Sequence, residues 1–425
     1  MRTMLLLACA GLVSAALSLM SIAADSPASK NEWPTWRGSN RDGISTEKGL
    51  LTEWSEAGPD LLWSADDLGK GFSSIAISGG RIYTMGERKG GTFLVCLDLT
   101  GKELWAANVG RGEPNCTPTI DGDRVYTLDR NGELTCVGTE SGNVLWSKSF
   151  TKDFGGKMMS GWGYSESPLV DGDWLVVTPG SKEAAIAAIN KKTGDVVWKS
   201  AIPDLGSKGG DGAAYSSIVI SQAAGTKQYV QLVGRGVISV RASDGKFLWN
   251  YNKIANGTAV IPTPIVRGDH VFCSTGYGDG GAALLKVVKD GSGFKAEEVW
   301  YKKSNELQNH HGGVILLGDY LYMGHGHNNG FPVCVDFLTG KDAWRPGRGV
   351  GNGSAAVVMA DGHLYFRYQS GEMALIEATP AEYRLKGQFK IKTKHRESWP
   401  HPVILDGKLY LRDQQNLHCY NIKKS

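Results

Sequence analysis

At 425 residues the chain is long enough for two or three ordinary domains, or for one large array of repeats. Its 46 lysines and arginines nearly balance 43 acids, and the formal net charge of +3 is spread without a basic block, so polyanion binding has no electrostatic support. Fifty-seven glycines beside 13 tryptophans point instead to turns and to a repeated packing unit.

Residues 1–23 read as a secretory signal: Arg2, an apolar run from Met4 to Met20, then Ser21-Ile22-Ala23. The run is too short and too poorly flanked to remain as a membrane span, and no other stretch is apolar enough to be one. Cys9 follows Leu7-Ala8 but lies too near the start for lipid attachment. Export to the periplasm or exterior is expected. Residues 24–58 follow as an N-terminal segment, and Trp33 and Trp36 within it imply that it packs on the body of the protein.

Residues 59–425 carry the repeat. Glycine precedes tryptophan by four positions in Gly101/Trp105, Gly142/Trp146, Gly194/Trp198, Gly245/Trp249 and Gly340/Trp344. Ahead of each phrase stand two β-rich runs joined by a tight turn, with glycines at 79, 122, 172, 268, 318, 362 and 407. Asp-Gly between alternating apolar residues signals a hairpin, because glycine accepts the positive φ of the turn. A variant turn, Ser221-Gln222-Ala223-Ala224-Gly225, fills the one large gap and brings the hairpins to eight.

A third run holds a slot for a small residue (Cys96, Cys136, Ala188, Cys334, Cys419), and a fourth holds the tryptophan. Four strands in each of eight units predict an all-β, eight-bladed β-propeller with antiparallel blades. Blade 5 ends at Trp300 without the glycine, and Phe389 replaces the tryptophan of blade 7. Blade 8 stops at Ile422 without a fourth strand, so Asp60-Leu61-Leu62-Trp63 is expected to supply it and close the ring. Equivalent slots in separate blades are too far apart for disulfides, and the four cysteines are expected as buried thiols.

A propeller places the first-to-second-strand turns on one face and the longer loops on the other. Histidines 310, 311, 325, 327, 395 and 401 fall on the loop side. The candidate ligand site there comprises Trp162, Tyr164, Asp211, Tyr215, His310, His311, Trp399 and His401, with His311, His401, Tyr164 and Tyr215 converging at the channel mouth. The bland alternative for His310 and His311 is a set of satisfied hydrogen bonds in the channel wall. His325 and His327 form a candidate metal pair, since imidazole suits zinc and copper, but no third ligand is placed by spacing. There is no Gly-x-Ser-x-Gly elbow, no His-Glu-x-x-His helix and no phosphate-cradling loop, and catalytic residues are not identified.

The phrase Ala/Cys-apolar-Asp/Asn-x-x-Thr-Gly-x-x-x-Trp resembles the tryptophan-docking motif of the pyrroloquinoline-quinone (PQQ)-like propeller repeats, over roughly residues 60–425. The resemblance implies that Trp63, Trp105, Trp146, Trp198, Trp249, Trp300 and Trp344 dock on neighbouring blades. The chain is also similar to a bacterial secreted subgroup through Trp33-Pro34-Thr35-Trp36-Arg37-Gly38, His310-His311-Gly312-Gly313 and Trp399-Pro400-His401-Pro402. No activity follows from those motifs.

The PQQ-like family includes quinoprotein dehydrogenases, which bind PQQ and calcium, and non-catalytic scaffolds such as the outer-membrane protein assembly factor BamB. The dehydrogenases cover the quinone with a disulfide between adjacent cysteines; this chain has no such pair, nor loops matching their calcium ligands. The first reading is therefore an exported, monomeric, non-catalytic scaffold without a cofactor, binding an envelope protein or small ligand. The alternative is a PQQ-dependent oxidoreductase of alcohols or sugars. A third reading is a glycan-binding propeller.

Overall fold

The computed structural model describes residues 32–391 and 397–424. The proposed signal (1–23), most of the polar lead and His395 lie outside the described residues. Those residues form eight sheets, each of four antiparallel strands, one of them extended by a fifth, short strand. Blade 1 shows the pattern: Ala76–Ser78, Arg81–Arg88, Gly91–Asp98 and Glu103–Gly110 run from the axis outward. The blade 4 variant turn joins Val219–Ser221 to Gln228–Val233, as its spacing predicts. Blade 8 takes its fourth strand from the other end of the chain, with Asp60–Ala65 antiparallel to Asn416–Asn421 and Trp63 opposite Cys419. The ring is closed by this N-terminal strand.

A short line of side chains crosses each blade. Tyr83, Cys96 and Trp105 stand side by side on successive strands, as do Tyr126, Cys136 and Trp146, then Tyr322, Cys334 and Trp344. Tyrosine and tryptophan centroids lie 6.0–6.1 Å apart over the cysteine between them. Only a small side chain fits beneath two such rings, which explains the cysteine or alanine slot. The six cysteines of the described residues are buried and free, and burial pushes the Cys96 thiol up to about 11.

The register slips next to each tryptophan, leaving the preceding residue unpaired in a β-bulge. Leu62, Leu104, Leu145 and Val197 occupy these bulges and are exposed. The bulge re-aims the indole toward the next blade. There it meets the glycine of that blade's own phrase: an added Cβ would lie 2.7 Å from the Trp63 ring at Gly101, 2.8 Å from Trp105 at Gly142 and 3.0 Å from Trp146 at Gly194. Those glycines have φ of +87°, +70° and +78°. The glycine thus serves two needs at once: a left-handed turn and a flat seat for a neighbour's indole. Phe389 sits in the same way on Gly58, ahead of the closing strand, so the seam uses the contact used elsewhere in the ring.

Trp33–Ser45 does more than pack on the outside. Trp33 exchanges backbone hydrogen bonds with Ile77, Pro34 O accepts from Ile120 N, and Ile44–Ser45 pairs in parallel with Met359–Ala360. These partners lie on innermost strands close to the first-to-second-strand turns. The segment therefore plugs the channel from the plain face.

Gly194→Ala is expected to cost about 2–4 kcal/mol, combining left-handed strain of about 1–2 kcal/mol with displacement of the Trp146 ring. Gly122→Ala, with φ +57° but open space around it, is expected to cost only the strain. Equal shifts of the two denaturation midpoints would contradict glycine's role as an indole seat.

Candidate functional site

The segments leading into the innermost strands converge on the axis at the loop face, where they enclose a well of about 550 Å³. Its floor is the tip of the plug. Trp36 lines the well, and the guanidinium of Arg37 is buried below, donating from Nη2 to Asp42 O and Val314 O. Gly313 is needed here, because a Cβ would overlap Arg37 Nη1 and lie 2.8 Å from the His401 ring. Arg41, also buried, donates to Ser167 O and Pro168 O and fixes the plug to blade 3.

One wall is a column of aromatic rings. His327 stacks on His310 at 4.4 Å, His310 on His311 at 3.5 Å, His311 against Trp399 at 4.5 Å, and Trp399 on Phe72 at 4.5 Å. His310 is hydrogen-bonded at both nitrogens, to Tyr277 OH at 2.6 Å and Ser354 Oγ at 2.5 Å. Burial, helped by neighbouring His327, pushes its pKa down to about 3. Burial also lowers His401 to about 3, with Arg37 adding to the shift, and holds His311 well below the ordinary range. These imidazoles are neutral at ordinary pH.

The opposite wall is a belt of hydroxyls. Ser74 N donates to Thr117 Oγ1 (3.1 Å), Thr117 N to Ser167 Oγ (3.3 Å), Ser167 N to Ser217 Oγ (3.0 Å) and Ser217 N to Thr263 Oγ1 (3.0 Å). Each bond ties one blade to the next. Thr117, Ser167 and Thr263 each stand five residues before their blade's turn glycine, and Ser217 precedes the longer variant turn of blade 4, a periodic signal present in the sequence that the tryptophan phrase overshadows. In blades 6–8 that slot holds Gly313, Val357 and Pro402, and the plug and imidazoles take its place.

Of the candidate residues, the structure brings Trp162, Tyr215, His310, His311, Trp399 and His401 to this well, together with His327. Tyr215 OH receives the Trp162 N–H and meets Ser160 Oγ at 2.6 Å, holding Trp162 half-exposed at the mouth. Tyr164 turns away instead: its ring packs on Phe150 and its hydroxyl donates to Pro179 O, because the bulky phenol fills the space over Gly132. Asp211 lies in a separate groove between blades 3 and 4, where a hydrogen bond from Arg235 Nε holds its carboxyl low and leaves it unsuited as a base. His325 and His327 are engaged apart. His325 Nδ1 accepts from Gln308 N, whereas His327 joins the ring column. No group of three or more His, Cys, Asp or Glu placed for a metal occurs among the described residues. Trp36, Phe72 and Tyr277 line the well without having been singled out, since only the tertiary fold delivers them to the axis.

His310, His311 and His401 have folded pKa values below the ordinary value of about 6.5. Unfolding takes up protons once pH falls below that value, so their contribution is intact above pH ~6.5 and lost progressively as pH falls below it. Between pH 7.5 and 5, His401→Gln is expected to lose about 1–2 kcal/mol less unfolding free energy than the wild type. Denaturant titrations at the two pH values check this; identical losses would contradict a buried neutral imidazole.

Comparison with known proteins places this architecture. The family model described as outer membrane protein assembly factor BamB matches residues 89–346. BamB of Escherichia coli (strain K12) is 28% identical over 112 residues, which is 24% of this chain and 27% of that protein. The chain thus matches only about a quarter of that relative's length. Among solved structures, BamB from Moraxella catarrhalis superposes with a TM-score of 0.59 at 13% identity, covering 85% of this chain and 99% of that one. Quinohemoprotein alcohol dehydrogenase from Comamonas testosteroni gives 0.66 at 11% identity, covering 93% and 81%. These two superpositions show the fold alone. The family-model match spans more than half of the chain, and on that ground the chain belongs to the PQQ-like propeller family described as outer membrane protein assembly factor BamB.

Proposed function

We propose that the protein is an exported, non-catalytic propeller that acts as a binding scaffold in the cell envelope, presenting its loop face and well to a partner protein or ligand. One observation carries this reading: His310 and His401, in the well's wall, are held neutral by burial and are hydrogen-bonded to Ser354 Oγ, Tyr277 OH and the His311 carbonyl, none of which is a carboxylate that would make either a base. The leader-like residues 1–23 and the likeness to an outer membrane assembly factor support the envelope as its location. No helix among the described residues is long and apolar enough to cross a membrane.

The quinoprotein likeness makes PQQ the alternative occupant. PQQ is a planar tricarboxylate held with calcium, which demands several oxygen ligands. The well's carboxylates, Glu113 and Glu397, stand with Arg130 as its charged lining, and no metal-ready cluster accompanies them among the described residues. These residues do not fit the group.

Two measurements test the reading. Protein incubated with PQQ and calcium is expected to reduce no redox dye with alcohols or sugars; turnover would overturn the non-catalytic assignment. A photo-crosslinking residue at Trp162 on the loop face is expected to trap an envelope partner in intact cells, whereas one at Asp123 on the plain face is not. Equal labelling at both positions, or none at Trp162, counts against the scaffold.

A further inference from the structure

The well is chemically two-sided, and each side asks for a different feature of one ligand. Thr117, Ser217 and Thr263 line it and are only 2–4% exposed. Each hydroxyl oxygen is already fixed by a backbone N–H from the neighbouring blade. Among the described residues Thr117 Oγ1 and Ser217 Oγ donate to no protein acceptor, while Thr263 Oγ1 also meets Ser216 Oγ at 3.4 Å. A buried O–H whose oxygen already accepts leaves a cost unless something polar accepts from it.

Facing these hydroxyls are Trp36 at the floor and Trp399 in the column, while Trp162 and Tyr215 stand at the mouth beside the hydroxyls, Trp162 O accepting from Asn115 Nδ2. Indole faces carry negative quadrupole charge and attract the slightly positive C–H groups of a saturated ring. Charge narrows the choice further. Burial keeps His310, His311 and His401 neutral, the guanidinium of Arg37 is buried beneath the floor, and Glu113 and Glu397 outnumber Arg130 in the lining. An anion would face two carboxylates, and a cation would sit over the buried guanidinium. The volume of about 550 Å³ falls within the usual small-ligand range of roughly 300–1,000 Å³.

We propose that the well binds a neutral saccharide, with a sugar ring face against the indoles and its hydroxyl oxygens accepting from Thr117, Ser217 and Thr263. A pyranose is the ligand class that offers a C–H face on one side and uncharged acceptors on the other. This rests on the reading of the protein as a binder rather than an enzyme.

The test is titration of the purified exported protein with neutral disaccharides of gluco, galacto, manno and N-acetylated configuration. Calorimetry and intrinsic tryptophan fluorescence report binding, with digalacturonate and PQQ as anionic comparators. At least one neutral disaccharide is expected to bind saturably with Kd below ~10 mM and to shift the tryptophan emission. Digalacturonate is expected to bind at least about tenfold more weakly than the matching neutral sugar. Trp162→Ala, at a half-exposed site where the fold does not depend on the ring, is expected to weaken binding about fivefold or more, as is Thr263→Val. Absence of binding across the neutral panel, tighter binding of digalacturonate or PQQ, or unchanged affinity in both variants overturns the proposal. Loss of the saccharide with crosslinking at Trp162 intact removes the ligand class alone. Dye reduction with PQQ removes the binder reading beneath it.

Discussion

An indole seated on the next blade's glycine is the contact on which this ring depends. A four-stranded blade has two edges and a thin core, and alone it is a poor candidate for a stable unit. Trp63, Trp105 and Trp146 each reach across a blade boundary to a glycine that has no Cβ to block the ring. The cysteine slot, the bulge before the indole and the left-handed turn all serve this one geometry. Because blade 8 borrows Asp60–Ala65, the same contact operates at the seam, and the ends of the propeller are held together.

A closed ring fixes what happens at its axis. The innermost strands bring backbone and short polar side chains together, where each needs a partner. In blades 1–5 the hydroxyl belt meets that need between neighbours. In blades 6–8 the belt residues are glycine, valine and proline, and the N-terminal plug fills the space with Arg37 and Trp36. The plug converts a through-channel into a one-ended well. Burial then keeps His310, His311 and His401 neutral.

Much of this was legible in the sequence because repeats report themselves by period. The eight hairpins, the variant turn of blade 4, the substitute Phe389 and the closing strand at Trp63 all follow from spacing. The site was legible only in part. His311, His401 and Tyr215 precede innermost strands and reach the axis as their positions suggest. Tyr164 has a similar position, yet its phenol finds a core pocket over Gly132. Asp211, in a long loop, is drawn to Arg235. A loop residue's direction depends on which neighbour satisfies it, and such neighbours are remote in sequence.

The sequence by itself determined the ring: a fixed alternation of turn glycine, small slot and tryptophan repeats often enough that one architecture satisfies every copy. Only the tertiary structure decided the site. Trp36, Phe72 and Tyr277 come from segments with no shared motif, and they meet because the closed ring points them at one axis. The plug's depth, the neutral state of the imidazoles and the orientation of the hydroxyl belt are likewise properties of enclosure. Local pattern encodes strands and turns; burial and charge at the axis exist once eight blades have closed around it.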